Sequence, residues 1–213
     1  MFSDNEIILF QGDSITDGGR YRNNIEDQNH LIGHSFPYLI TAKLALKYID
    51  KKPRFYSRGV SGNDILQVYA RWREDAIGLK PTIINLLVGV NDAGRFSEGN
   101  GSTPAQYENV LKLIIEETRA ELPNVKFVLC EPFYFPYESN KNSENIYEDI
   151  KVRQEIVKRT AMKYSCVFVP LQKVLEEYAD RVGDRKQILW DGTHPTPLGH
   201  SIICEEWFKV IKL

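Results

Sequence analysis

Three residues far apart in the chain have the types and spacing that nucleophilic catalysis requires. A serine hydroxyl at neutral pH attacks poorly until a base takes its proton and a carboxylate holds that base in the right tautomer. Ser14 ends a Gly12-Asp13-Ser14 turn after the first apolar run, and Asp191 and His194 stand close enough near the C-terminus for one turn to present both. Acyl transfer also needs donors aimed at the oxygen that becomes negative in the tetrahedral intermediate. The N–H groups of Ser14 and Gly62 and the side-chain amide of Asn91 are the available set, and Gly62 permits close approach because it lacks a Cβ. Taken singly, each residue has an ordinary structural role: a helix cap for Ser14, turn formation for Gly62 and Asn91, a surface-loop position for His194. Taken together they argue for a serine hydrolase, whose rate should rise with pH as the imidazole loses its proton.

These groups need elements to carry them. Near-continuous apolar runs at residues 7–11, 54–57, 82–88, 125–130 and 166–170 read as five buried parallel strands. Helical spacing covers residues 35–48, 64–77, 144–164, 171–181 and 197–211. A further helix starts at Thr103, with Pro104 in its first turn and Gln106 completing a capping box, and ends before Pro123. Strands alternating with helices predict a parallel sheet covered on both faces, with right-handed crossovers, in a single α/β domain over residues 1–213. In such sheets ligands sit outside the carboxyl ends of the strands. Residues 11–14, 59–63 and 89–92 follow strands one, two and three, so three loops should converge on one rim. The Asp191–His194 loop, which precedes the last helix, must reach the same rim.

Composition narrows the partners. The chain has 213 residues, 42% hydrophobic and 26% charged, with a net charge of −2 and no basic patch, which argues against nucleic acid. Its longest apolar runs are too short to span a bilayer. Cys130, Cys166 and Cys204 form no CxxC or metal-ligand spacing and read as structural thiols, so no metal or cofactor is expected. No charged-then-apolar leader precedes the first strand, and a native start at Met1 predicts a cytoplasmic protein.

The quoted motifs resemble a known family. Gly12-Asp13-Ser14-Ile15, Gly59-Val60-Ser61-Gly62, Gly89-Val90-Asn91-Asp92 and Asp191-Gly192-Thr193-His194 have the order and separation of the four sequence blocks of the SGNH (GDSL-type) hydrolases, across nearly the whole chain. The resemblance implies a flavodoxin-like three-layer α/β/α sandwich with a five-stranded parallel sheet, and ester hydrolysis through an acyl-serine. It implies Ser14 as nucleophile, His194 as base, Asp191 as its orienting acid, and Ser14, Gly62 and Asn91 as the oxyanion hole. Residues 12–20, 70–75 and 190–200 are similar to a bacterial branch containing acetylxylan esterases, which implies an intracellular homo-oligomer that deacetylates xylo-oligosaccharides. Ile15 replaces a common Leu, and Ser57 stands where relatives often carry Asn, which puts that Asn's hydrogen bond in question.

For substrate contacts the candidates are Trp190, able to stack on a pyranose face, and Arg20 near the nucleophile. The aromatic run at residues 133–137 suits either a sugar or the core, and Trp72 and its neighbours at helical spacing suit the core. Within the hydrolases the alternatives are a lipolytic esterase, lysophospholipase or thioesterase. Outside them, a phosphate- or nucleotide-binding module would use a similar turn, but neither GxGxxG nor GxxxxGK[ST] occurs. A catalytically silent scaffold would have no use for the whole set of polar residues.

Overall fold

The computed structural model describes residues 4–22 and 30–211. Its strands are β1 (Ile7–Gly12), β2 (Arg54–Ser57), β3 (Ile83–Leu87), β4 (Lys126–Cys130) and β5 (Val167–Val169). Its helices are α1 (Ser14–Asp17), α2 (Phe36–Lys47), α3 (Ile65–Ala70), α4 (Trp72–Asp75), α5 (Val90–Ser97), α6 (Pro104–Glu121), α7 (Ser143–Lys163), α8 (Gln172–Val182) and α9 (Pro197–Val210). All strand pairs are parallel, in the order β2-β1-β3-β4-β5. Strand order therefore reverses between β1 and β3, where a flavodoxin-like sheet places its ligand.

Alternation along the strands divides the core into two layers. Ile8, Phe10, Ile83, Leu87 and Val128 pack against α2, α8 and α9, while Leu9, Ile84, Leu86, Phe127 and Leu129 pack against α3, α4, α6 and α7. Both faces of the sheet are covered, which explains the near-continuous apolar runs. Trp72 is buried, and its Nε1 donates to Thr118 Oγ1 at 2.8 Å. The capping box is present at α6, with Gln106 N–H donating to Thr103 Oγ1 at 3.2 Å and Thr103 N–H to Gln106 Oε1 at 2.9 Å. The three cysteines are free thiols. Among the described residues no helix is long and apolar enough to cross a membrane.

Besides α1, which begins within the loop expected at residues 11–14, two elements differ from expectation. The helix expected over residues 64–77 is broken at Arg71, between α3 and α4. There the Arg71 guanidinium donates to the carbonyls of Arg58 (2.7 Å) and Gly12 (3.3 Å) and to Asn63 Oδ1 (2.9 Å). Side-chain anchoring to three distant groups holds this residue out of helical register. Residues 89–92, read as a loop, contain the start of α5, whose cap is Gly89 at φ 142°.

Candidate active site

Register places the important ends side by side: Phe10 pairs with Ser57 and Gly12 with Leu87. Just beyond β1, Asp13 caps α1 by accepting the Ile15 N–H at 3.0 Å, which leaves Ser14 as the first residue of that short helix. Ser57 Oγ donates to the Thr16 carbonyl at 3.4 Å, so this serine reaches the first block.

The C-terminal loop closes on itself before α9. Trp190 N–H donates to the His194 carbonyl at 3.1 Å, and Thr196 N–H to the Ile188 carbonyl at 2.9 Å. Gly192 holds φ at 91°, and a Cβ there would lie 2.4 Å from the Phe135 carbonyl oxygen. The loop is tied down from outside by Phe135 N–H on the Gly192 carbonyl (2.8 Å), Asn140 Nδ2 on the Asp191 carbonyl (2.8 Å) and Tyr137 O–H on the Leu189 carbonyl (2.7 Å). Phe133, Tyr134 and Phe135 are buried, so the aromatic run serves the core and this scaffold.

Ser14, His194 and Asp191 meet in series. Ser14 Oγ lies 2.8 Å from His194 Nε2, and His194 Nδ1 lies 2.6 Å from Asp191 Oδ2. Burial pushes the Asp191 carboxyl up, but hydrogen bonds from the His194 amide and ring and from the Thr193 amide outweigh it and hold the group below its ordinary value. An ionised carboxylate only accepts, so Nδ1 carries a proton, and in the neutral imidazole Nε2 is left to accept from the Ser14 hydroxyl. That is the protonation pattern of a serine nucleophile with its base. Behind it, burial pushes the Asp13 carboxyl up to about 7 and the Asp92 carboxyl up to about 6.

The donor groups lie on the neighbouring loops. Gly62 sits at φ 81° with nothing within 4 Å of a Cβ built on it, so it stands in open space. Asn91, in the first turn of α5, donates one Nδ2 hydrogen to the Asn63 carbonyl at 3.0 Å and keeps the other. Among the described residues, neither Ser14 N–H nor Gly62 N–H has an acceptor within the protein. Asn91 and His194 line one cavity of about 300 Å³, together with Arg95, Ser97, Glu98 and Lys141.

The two substrate-contact candidates part company. Trp190 is 60% exposed, with its ring stacked on that of His194 at a centroid separation of 6.2 Å. Arg20 is engaged within the fold: Nε donates to the Gly59 carbonyl at 2.9 Å and faces Asp17 at 4.0 Å. It borders a separate cavity of about 600 Å³, with Tyr21, Arg22, Phe55, Tyr56 and Arg58. His200 is half-buried, accepts the Phe36 N–H on Nδ1 at 3.2 Å, and is driven down to about 4 by burial and by the nearby charges of His34 and His194.

Sequence reading missed the groups that hold these loops. Asp17 Oδ2 accepts from Ser61 N–H (3.0 Å) and Ser61 Oγ (2.8 Å), and Arg95 Nη2 donates to the Gly62 carbonyl at 2.7 Å. Asp92 accepts the Ile65 N–H at 3.1 Å and the Ser102 hydroxyl at 2.6 Å, next to the fully buried Arg153. Reading residues 90–97 as a helix would have put Arg95 one turn below Asn91 and exposed the pairing.

Comparison with known proteins agrees with this architecture. Residues 10–202 match the GDSL-like lipase/acylhydrolase family. The acetylxylan esterase of Geobacillus stearothermophilus is 30% identical over 212 residues, covering 97% of this chain and 94% of its own. The crystal structure of Axe2, an acetylxylan esterase from that organism, superposes with a TM-score of 0.87 at 28% identity, over 99% of this chain and 96% of that one. LAE5, an alpha/beta hydrolase enzyme from the metagenome of Lake Arreo, Spain, has a TM-score of 0.86 at 26% identity, over 98% and 96% of the two chains. The chain belongs to the GDSL-like lipase/acylhydrolase family, and with that family's fold it is a carboxylic ester hydrolase.

Proposed function

We propose that this enzyme removes acetyl groups from carbohydrates such as xylo-oligosaccharides through an acetyl-serine intermediate. The observation that carries the chemistry is the series Ser14 Oγ, His194 Nε2, His194 Nδ1, Asp191 Oδ2, with contacts of 2.8 and 2.6 Å at its two ends. His194 takes the Ser14 proton as Oγ attacks the ester carbonyl. Ser14 N–H, Gly62 N–H and the free hydrogen of Asn91 Nδ2 receive the oxyanion. His194 then protonates the departing sugar hydroxyl, and water repeats the two steps on the acetyl-serine, returning acetate and free Ser14.

The substrate class is supported by the surroundings. The cavity beside His194, about 300 Å³, sets Ser97, Glu98 and Lys141, side chains that hydrogen-bond hydroxyls, among the apolar Val90, Tyr134 and Ile146. Trp190 offers an open ring face next to the base, as sugar stacking requires. The similarity to an acetylxylan esterase points the same way. The same reading takes residues 1–213 as one domain, acting in the cytoplasm as a homo-oligomer without a cofactor. The test is acetate release from acetylated xylo-oligosaccharides, set against butyrate and octanoate esters, with Ser14→Ala as control. Acetyl preference and an inert, folded Ser14→Ala variant are expected; equal turnover of octanoate, or activity retained without the hydroxyl, would refute it.

A further inference from the structure

We propose that Arg95 and Asp17 are positioning residues that clamp the two peptides flanking the Gly62 N–H, which is directed at the oxyanion. The inference rests on the roles proposed above for Ser14, Gly62 and Asn91. Glycine at φ 81°, with nothing within 4 Å of its would-be Cβ, has neither side chain nor close packing to fix it. A donor so placed loses its value unless something else orients it, because oxyanion stabilisation depends on dipoles already aimed before charge develops.

Both peptides flanking the donor are held by charged side chains. On the N-terminal side, Asp17 Oδ2 accepts the Ser61 N–H at 3.0 Å and the Ser61 hydroxyl at 2.8 Å, and the same oxygen pairs with Arg22. On the C-terminal side, Arg95 Nη2 donates to the Gly62 carbonyl at 2.7 Å. Arg95 Nη1 is itself fixed by Gln67 Oε1 at 2.8 Å and by pairing with Asp64, the cap of α3. The planar guanidinium thus spans three acceptors through two nitrogens fixed in one plane, a separation that the single nitrogen of a lysine does not offer.

Each clamp starts on an element that carries another member of the site. Asp17 ends the short helix that Ser14 begins, and Arg95 lies one turn after Asn91 in α5. Asn91 Nδ2 reaches the next carbonyl, that of Asn63, at 3.0 Å. Successive carbonyls of the loop are therefore drawn to one face of α5, and the three donors become a unit rather than three independent groups. Arg95 serves turnover through Gly62, not through the proton-transfer series.

The test measures kcat, KM and the pH profile of Arg95→Ala and Asp17→Ala on an aryl acetate, with and without non-denaturing guanidinium. Loosening the donor should lower kcat by about 10²-fold, as misplacement at a reacting centre does, while KM and the pH profile stay as in the wild type. Guanidinium should restore part of the lost kcat in Arg95→Ala and none in Asp17→Ala. Wild-type kcat in Arg95→Ala, or a loss confined to KM, would overturn the inference. If Arg95→Ala does not fold, Arg95→Gln takes its place, with the same kcat loss expected at unchanged KM and the same overturning results. Ser14→Ala separates the two levels: if it stays active, the reading of the site fails, whereas an inert Ser14→Ala beside a fully active Arg95 variant sinks the clamp alone.

Discussion

The two oxygens of Asp191 divide their work on His194. Oδ2 lies 2.6 Å from the ring Nδ1, while Oδ1 accepts the His194 backbone N–H at 2.7 Å and the Thr193 N–H at 2.9 Å. One carboxylate therefore shapes the loop and sets the tautomer. Asp191→Asn keeps an oxygen for the backbone and removes the charge that holds the proton on Nδ1. The expected result is a drop in kcat of about 10³–10⁴-fold with little change in Tm. A kcat within tenfold of wild type would mean that His194 needs no orienting acid.

Asn91→Ala removes a proposed oxyanion donor and the Asn63 contact, but leaves Ser14, His194 and Asp191 untouched. Turnover should fall by about 10²–10³-fold, chiefly in kcat, since the interaction strengthens as the carbonyl oxygen gains charge. Steady-state kinetics on an aryl acetate decides this, and a change in KM alone would assign Asn91 to ground-state binding.

Gly192→Ala forces a Cβ into the Phe135 carbonyl at a backbone angle alanine rarely adopts. The loop must shift, and a displacement of about 1 Å at His194 should cost about 10²-fold in kcat. Gly183→Ala is the matching control, because Gly183 also has positive φ (76°) but nothing within 4 Å and lies at the end of α8. It should lower stability, and with it Tm, by a strain energy of about 1–3 kcal/mol, with kcat unchanged. Equal kcat in both variants would detach the Gly192 contact from activity.

His200 gives the fold a dependence on pH. Burial, with the nearby charges of His34 and His194, lowers its pKa from 6.5 to about 4, so the unfolded chain binds the extra proton more readily. Its stabilising share is complete above pH 6.5 and is lost as pH falls toward 4. His200→Asn keeps an acceptor for the Phe36 N–H and cannot titrate. Its Tm should be lower than wild type at neutral pH, because the stack on Phe36 is lost, and should fall less steeply between pH 6.5 and 4. Parallel Tm curves would remove His200 as a source of the acid dependence.

The chain's local patterns were enough to reveal the sheet, its parallel sense and most of the helices, because buried strands and amphipathic helices are written in the spacing of neighbouring residues. They also brought Ser14, Gly62, Asn91, Asp191 and His194 together as candidates, since turn residues at strand ends are local features too. What they left open was decided by contacts between segments distant in sequence. The break at Arg71 follows from carbonyls at Gly12 and Arg58, the engagement of Arg20 from the Gly59 carbonyl, and the hold on Gly62 from Asp17 and Arg95. The neutrality of His200 depends on how much water the packing of α2 against α9 excludes. Hydrogen-bond reach and local dielectric exist only once the chain has closed on itself, so no reading of adjacent residues could have supplied them.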